Sequence, residues 1–405
     1  MEPRLETLSI NAPALLRELT RTSGVTRLEL QHALKVSGPT ITRAILELTD
    51  LGIVESRVNA AGGKGRPAET VDLSENGLCA ISVSIRAGRV TVDLVDARGQ
   101  LVESHRLPIG EQTDYAEALS LIGRTVLDTA GSAAQRFRCL AGVGISFGGS
   151  ADYATGAITT PSAFRQWRGK PMARDLEFYT GLPTAIDNYS IALVGVLNWF
   201  DPAKPSDFFM VVADYGIGGV SSIEGRSYLG PERRPGSFGH IGGRRAGRFA
   251  CHCGACDCMD ATSSVKAIDR DAKALQPGGE TRDLAELLRT LDASPDAAAR
   301  SLLTAAGERI AESALALCRG MGLTSCVFGG MLFDNSAAAR AAAEEVFAAP
   351  GHACEPRFLC RLFETRLPDD LAAASVAYQL LSDRRQVYML DSGHSGEAVR
   401  LRARI

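Results

Sequence analysis

Residues 236–243 read GSFGHIGG and residues 251–258 read CHCGACDC. The second stretch puts four of the chain's ten cysteines and one of its six histidines into eight residues. Cys251, Cys253 and Cys258, with His240 eleven residues upstream, supply three thiolates and one imidazole. That set suits a tetrahedral ion, and zinc fits it best. Four protein ligands leave no open position, so the expected role is structural. The spacing C-x-C-x4-C differs from a redox C-x-x-C pair, although Cys253 and Cys256 form one incidentally. Cys256 and His252 are spare candidates for the ligand set.

Around this loop lies a chain of 405 residues, 45% hydrophobic and 22% charged, enough for two or three cored domains without disulfides. The other six cysteines (Cys79, Cys139, Cys318, Cys326, Cys354 and Cys360) are scattered, mostly among apolar neighbours, and read as buried structural residues. Apolar runs such as FFMVVA at 208–213 fall far short of the roughly 20 residues that span a bilayer. Met1–Thr20 carries charges where a signal peptide would be apolar, so a cytoplasmic protein with no membrane partner is expected. A formal net charge of −3 advertises no polyanionic partner, and any nucleic-acid function must rest on a local patch.

Residues 12–54 hold three short amphipathic segments, APALLRELTRT, TRLELQHAL and GPTITRAILELTDLG, separated by turn signals. Three helices in so short a stretch point to a helix-turn-helix. In the third, Ser37 or Gly38 caps, Pro39 fits the first turn, and Ile41, Ala44, Ile45 and Leu48 face inward. Pro39, Thr40, Arg43 and Glu47 are left facing out, with Thr42 at the flank. The run IVESRVNAAGGKGRPAETVDL then reads as a hairpin wing with Lys64 and Arg66 at its tip. In this reading Thr40, Thr42 and Arg43 enter a major groove, while Lys64 and Arg66 meet the backbone or a minor groove. Residues 21–66 carry seven basic side chains (Arg21, Arg27, Lys35, Arg43, Arg57, Lys64, Arg66) against four acidic ones (Glu29, Glu47, Asp50, Glu55). The order of helices and Gly-rich hairpin is more specific than that surplus.

From residue 78 three strand-like runs lead to a helix over 115–134 and a strand at LAGVGISF. A second strand series begins near DFFMVVADYGIGGVSSIEGRSYLG. The pattern of two hairpin-plus-helix halves predicts an α/β protein with a cleft between two lobes. SLLTAAGERIAESALALCRGMG reads as a long helix, and DDLAAASVAYQLL as a last helix packing back on the first lobe. The expected divisions are 1–76 for the DNA-binding unit, 77–195 and 196–383 for the lobes, and 384–405 for a tail without clear periodicity.

GSFGHIGG followed by CHCGACDCMD resembles the signature of the ROK family of repressors, open reading frames and sugar kinases. The resemblance covers nearly the whole chain. The N-terminal unit is similar to the winged helix-turn-helix of the family's repressors, including a wing ending in Gly65, Arg66, Pro67, and the rest to an actin-like, hexokinase-type (ribonuclease H-like) domain. It implies that zinc stiffens a loop at the edge of a sugar cleft, with His240 touching metal and ligand. Asp257 stands where the family has Gly, and Asp tolerates left-handed geometry better than most residues.

Against the family's kinases the chain departs at several positions. The first phosphate turn, Asp-x-Gly-Gly-Thr, is replaced by Ser84, Ile85, Arg86, Ala87, Gly88. The second keeps its glycines in Asp214, Tyr215, Gly216, Ile217, Gly218, Gly219, with Tyr215 expected to fill the phosphate space. The family's catalytic Asp is matched by Tyr189; a one-residue slip would offer Asp187, but Asn188 anchors the register. No catalytic residue is therefore assigned. Among sugar-binding positions Asn188 and His240 remain, Asp260 shortens a Glu, Ser237 replaces a Glu and Ser162 an Asn. The resemblance implies a homodimer, or dimer of dimers, that binds a palindromic operator in double-stranded DNA. Ser162, Asn188, Tyr189, Ser237, His240 and Asp260 would line a site for a sugar or sugar-derived effector. The alternatives are an ATP-dependent sugar kinase and an effector-independent DNA-binding protein.

Overall fold

Short local signals set the first elements of the chain. The computed structural model describes all residues except 1–4, 59–68, 87–88, 153, 162, 202–204, 206, 231–236, 276–282, 349–356, 361–368 and 391–405. Strand β1 (Leu5–Thr7) leads into α1 (Ala12–Arg21), which has Pro13 in its first turn and buries Leu15, Leu16 and Leu19. After β2 (Val25–Thr26), α2 (Arg27–Leu34) opens on a capping box. The Thr26 hydroxyl accepts from the Glu29 N–H at 3.3 Å, and the Glu29 carboxylate accepts from the Thr26 N–H at 2.8 Å. Helix α3 (Gly38–Asp50) buries Ile41, Ala44, Ile45 and Leu48, the inward face predicted from spacing. Strands β3 (Val54–Val58) and β4 (Glu69–Leu73) form the wing, with Val54 opposite Leu73, and β4 also pairs with β2. The wing tip, with Lys64 and Arg66, lies outside the described residues.

The antiparallel strands β5 (Leu78–Arg86), β6 (Arg89–Asp96) and β7 (Leu101–Leu107) follow. Helix α4 (Tyr115–Arg136) crosses to β8 (Cys139–Phe147), which lies parallel to β5 and is buried along its whole length. Its unbroken apolar run is what a parallel strand covered on both faces requires. The hairpin of β9 (Gly149–Asp152) and β10 (Ala157–Pro161) precedes α5 (Met172–Thr180). Strand β11 (Thr184–Asn188) then runs parallel to β8 and passes directly into α6 (Tyr189–Phe200).

A second sheet is built from β12 (Phe208–Ala213), β13 (Ile217–Ile223) and β14 (Arg226–Tyr228). Beyond the cysteine loop come α7 (Met259–Ser263), α8 (Val265–Leu275), α9 (Leu284–Asp292) and the long α10 (Ala297–Met321). Strand β15 (Ser325–Gly329), α11 (Met331–Asn335), α12 (Ala337–Ala348) and β16 (Arg357–Cys360) complete it, in the order β14-β13-β12-β15-β16. Phe209, Val211, Ile310, Ala314, Phe328 and Phe333 lie in its core.

The chain finally returns to the first sheet with α13 (Asp369–Asp383) and β17 (Gln386–Met389). That sheet runs β1-β17-β8-β5-β6-β7, with β11 also paired to β8. The contacts divide the chain into two units, residues 1–204 with 367–405, and residues 205–366. Helix α6 runs unbroken through the division drawn at 195 from sequence, and the tail beyond 384 supplies a strand where it is described. Cys79, Cys139, Cys318 and Cys326 are buried as expected, whereas Cys354 lies outside the described residues.

Within the first unit the winged helix-turn-helix is not a separate bead. Leu8, Leu15, Leu16 and Leu19 share one core with Trp199, Ala374, Ala377, Tyr378 and Leu381. The Thr20 hydroxyl donates to the Trp199 carbonyl, and the Arg17 guanidinium lies 5.1 Å from the Trp199 ring centroid and donates to Ser382 Oγ at 3.1 Å. Trp199 is 1% exposed. Trp199→Ala is expected to cost about 3–5 kcal/mol, and calorimetry of the full chain should show the helix-turn-helix and the first sheet losing stability in the same transition.

Candidate functional site

The cysteine loop is held by its own backbone and by one carboxylate. Arg244 and Cys256 exchange both N–H···O bonds at 2.8 Å. Asp257 adopts φ +55°, the left-handed geometry anticipated for it, and its carboxylate accepts from the Phe249 N–H at 2.9 Å and the Arg248 N–H at 3.3 Å. The donor atoms of His240, Cys251, Cys253 and Cys258 thereby lie within 4.8 Å of one another. Cys253 Sγ is 3.5 Å from Cys258 Sγ, and His240 Nδ1 is 3.4 Å from Cys251 Sγ. An ion with bonds of about 2.3 Å to sulfur and about 2.0 Å to nitrogen would set such donors about 3.5–3.8 Å apart in a tetrahedron. The four predicted ligands therefore fit one ion.

Their electrostatics point the same way. Burial and the adjacent Cys253 and Cys251 sulfurs push the Cys258 thiol up to about 12, and burial raises Cys251 as well. Sulfurs so crowded ionise together only around a cation. Burial lowers His240, which keeps its imidazole in the neutral, ligating form. Gly243 is part of the enclosure, because a Cβ there would stand 2.8 Å from Cys258 Sγ. Of the two spare candidates, Cys256 joins no donor group among the described residues, while His252 joins a second one with Cys251 and Asp260.

In the first unit, β5, β8 and β11 end side by side, with Ile85 opposite Phe147 and Phe147 opposite Asn188. The carboxyl edge of such parallel strands is where open α/β sheets receive ligands. Here two of the residues singled out in the sequence meet: the Arg86 guanidinium stands 3.6 Å from the Tyr189 ring centroid. A cation stacked on an aromatic face contributes about 0.5–2 kcal/mol. Asn188 caps α6, its Oδ1 accepting from the Ser190 N–H at 2.8 Å, and its amide donates to the Gly149 carbonyl. Asp187 Oδ1 accepts the Asn188 N–H at 2.9 Å. Ser162 lies outside the described residues.

In the second unit, the turn from Asp214 to Ile217 is braced from two sides. Asp214 Oδ1 accepts from the Met331 N–H at 3.3 Å, and Asp260 Oδ1 accepts from the Ile217 N–H at 2.8 Å. Tyr215 remains partly exposed, 5.7 Å from Lys266 Nζ. Ser237 is exposed and begins the short helical turn that carries His240, its carbonyl accepting from the His240 N–H at 2.9 Å. Sequence reasoning did not anticipate that Asp260 serves a backbone N–H, that Asp257 clamps the loop, or that Arg86 meets Tyr189. Only the aspartate in a glycine position gave a signal.

On the DNA-binding unit, Arg43 is exposed, and Thr40 and Thr42 are half-buried. The Thr40 hydroxyl lies 2.8 Å from Ser37 Oγ. Glu47, expected to face out, turns back to accept the Ser9 N–H at 2.7 Å, satisfying a backbone donor just ahead of α1. Leu46, 54% exposed, stands one helical turn beyond Arg43 and was not singled out by the spacing.

The ROK family model matches residues 80–370, and a winged helix-turn-helix DNA-binding model matches residues 9–55. The chain is 24% identical over 230 residues to the uncharacterized protein y4fQ of Sinorhizobium fredii, a match spanning 56% of this chain and 58% of that protein. It is 25% identical over 374 residues to transcriptional regulator Rv0485 of Mycobacterium tuberculosis, covering 88% of this chain and 82% of the relative. The fold is shared with a ROK family transcriptional regulator described as a homolog of the Escherichia coli MLC protein, at a TM-score of 0.74 and 18% identity over 92% of this chain and 96% of the other. It is also shared with a ROK hexokinase from Thermus thermophilus, at a TM-score of 0.58 and 23% identity over 75% of this chain and 99% of the other. No helix among the described residues is long and apolar enough to cross a membrane.

Cys253→Ser should abolish retention of a bound ion through gel filtration, as read by elemental analysis. Gly243→Ala should keep the ion but release it faster to a coloured chelator, because the new methyl crowds Cys258 Sγ.

Proposed function

The chain belongs to the ROK family, and we propose that it is a DNA-binding transcriptional regulator, a repressor, whose zinc-pinned, kinase-like domain senses a sugar or sugar-derived effector without transferring phosphate. The observation that carries this reading is the pairing of Arg86 with Tyr189 at the carboxyl edge of a sheet that shares its core with a winged helix-turn-helix. A sugar kinase needs an acidic base for the attacking hydroxyl and open space around the phosphates. A phenol, with a reference pKa of roughly 10, is a weak base at neutral pH, and Arg86 stands over its ring. The similarity, over 88% of this chain, to a protein named as a transcriptional regulator supports the same reading.

Zinc in the set of His240, Cys251, Cys253 and Cys258 supplies a structural cross-link with no open coordination position. Those residues, with Gly243 and Asp257, keep the loop in one conformation. Ser162, Asn188, Tyr189, Ser237, His240 and Asp260 are the proposed effector contacts. Asn188 commits its Oδ1 to the Ser190 N–H and one amide hydrogen to the Gly149 carbonyl, and Asp260 commits Oδ1 to the Ile217 N–H while its Oδ2 lies 3.6 Å from His252 Nδ1.

The reading unit acts as a homodimer, its two recognition helices α3 addressing half-sites about 34 Å apart. Thr40, Thr42 and Arg43 contact bases, and Lys64 and Arg66 contact the flanks. A ligand that favours one conformation of the sensor domain shifts the population of dimers that match both half-sites.

Selection of the zinc-loaded protein on a random duplex library at near-physiological salt should enrich an inverted repeat; recovery of no motif above non-specific binding would overturn the regulator reading. Arg43→Ala should lose about 1–3 kcal/mol at one base position, whereas Arg66→Ala should weaken binding chiefly on AT-rich flanks. A coupled ADP assay over a panel of sugars should stay at background, and turnover on any of them would reinstate the kinase.

A further inference from the structure

We propose that the cysteine loop holds a second divalent ion, bound by Cys251, His252 and Asp260, with Cys251 Sγ bridging it to the ion of the closed four-donor set. The donor atoms of these three residues lie within 4.8 Å of one another. His252 Nδ1 is 3.8 Å from Cys251 Sγ and 3.6 Å from Asp260 Oδ2. Each separation is a few tenths of an ångström longer than the edge of a tetrahedron built on zinc bond lengths, roughly 3.5 Å for sulfur to nitrogen and roughly 3.3 Å for nitrogen to oxygen.

Orientation and charge single out this trio. Asp260 Oδ1 accepts the Ile217 N–H at 2.8 Å, which fixes the carboxylate with Oδ2 toward His252. A hydrogen bond of this kind on the far oxygen is how ligand carboxylates are aimed. The His240 and His252 rings meet edge to face at 4.9 Å between centroids and 71° between planes, so His240 Nδ1 serves the closed set while His252 Nδ1 faces Asp260. Three thiolates and one carboxylate carry four formal negative charges across the two donor groups, which two dications neutralise and one does not. A thiolate sulfur has lone pairs for both ions.

The two positions differ in chemistry. The closed set is saturated by protein. The second has three protein donors, leaves one position for water or an oxygen ligand, and includes His252, whose side chain is 56% exposed. A site of one thiolate, one imidazole and one carboxylate suits zinc and its late first-row neighbours. Its ion exchanges with solvent, and its occupancy ties the loop through Asp260 to the turn at Ile217.

The test is native mass spectrometry of the full chain across a range of buffered free zinc, on the wild type, His252→Ala and Asp260→Asn. Asparagine retains an oxygen for the Ile217 N–H, so loss of the ion is separable from loss of the turn. The expected result is two ions on the wild type and one on each variant, with the second wild-type ion leaving first to a mild chelator. A wild type that never exceeds one ion overturns the proposal while leaving the closed set standing, and one that binds none overturns both. Two ions on either variant overturn the proposal, as does loss of both ions from either, since the closed set uses neither side chain.

Discussion

Helix α13 presses onto β8 at Gly144, where a Cβ would come within 1.9 Å of the Ala373 carbonyl oxygen. No larger residue on the strand permits that approach, and the small side chains Ala372, Ala373, Ala374 and Ala377 on the helix complete it. Much of the first unit is assembled on this contact. The helix covers β8 and β5, receives α6 alongside, and with α6 forms the seat for α1. Helix α1, on which α3 packs, thus shares its core with side chains from Ala374 to Leu381, some 360 residues later in the chain. A close-packed seat of this kind transmits displacement instead of absorbing it.

The chemistry of the carboxyl edge follows from what was exchanged there. The Tyr189 ring and the Arg86 guanidinium meet each other there, at positions where the family resemblance places an acidic base and a glycine. The two are brought together by the pairing of β5 and β11 with β8. In the second unit the glycine turn persists, but its neighbour Asp260 is occupied with the Ile217 backbone.

Much of this was legible in the sequence because the signals were local. Alternation and helical spacing marked α1 to α3, the β5 to β7 meander, α10 and α13, and the crowding of cysteines pointed to His240, Cys251, Cys253 and Cys258, whose donor atoms the fold brings within 4.8 Å of one another. What escaped was set by tertiary context. Glu47 has an outward position by helical period, yet the Ser9 N–H recruits it. The end of α6 depends on Trp199 being buried against Tyr378, their ring centroids 5.5 Å apart, and no turn signal at residue 195 announces this. The Asp257 clamp was half visible: the left-handed backbone could be foreseen, but its hydrogen bonds to Arg248 and Phe249 depend on how the loop closes.

The pairing of β1 with β17 also bears on how the protein is made. Leu5 is matched with Tyr388, 383 residues later in the chain. At about 5–20 residues per second of synthesis, those partners leave the ribosome roughly 20–80 s apart. Helices α1 to α3 are made long before α13, and Leu15, Leu16 and Leu19 cannot bury themselves against Tyr378 and Leu381 until those residues have been translated. Until then part of the apolar face of α1 lacks the partners that cover it in the folded chain, so the winged helix-turn-helix is seated only after the sensor domain's last described helix has been made.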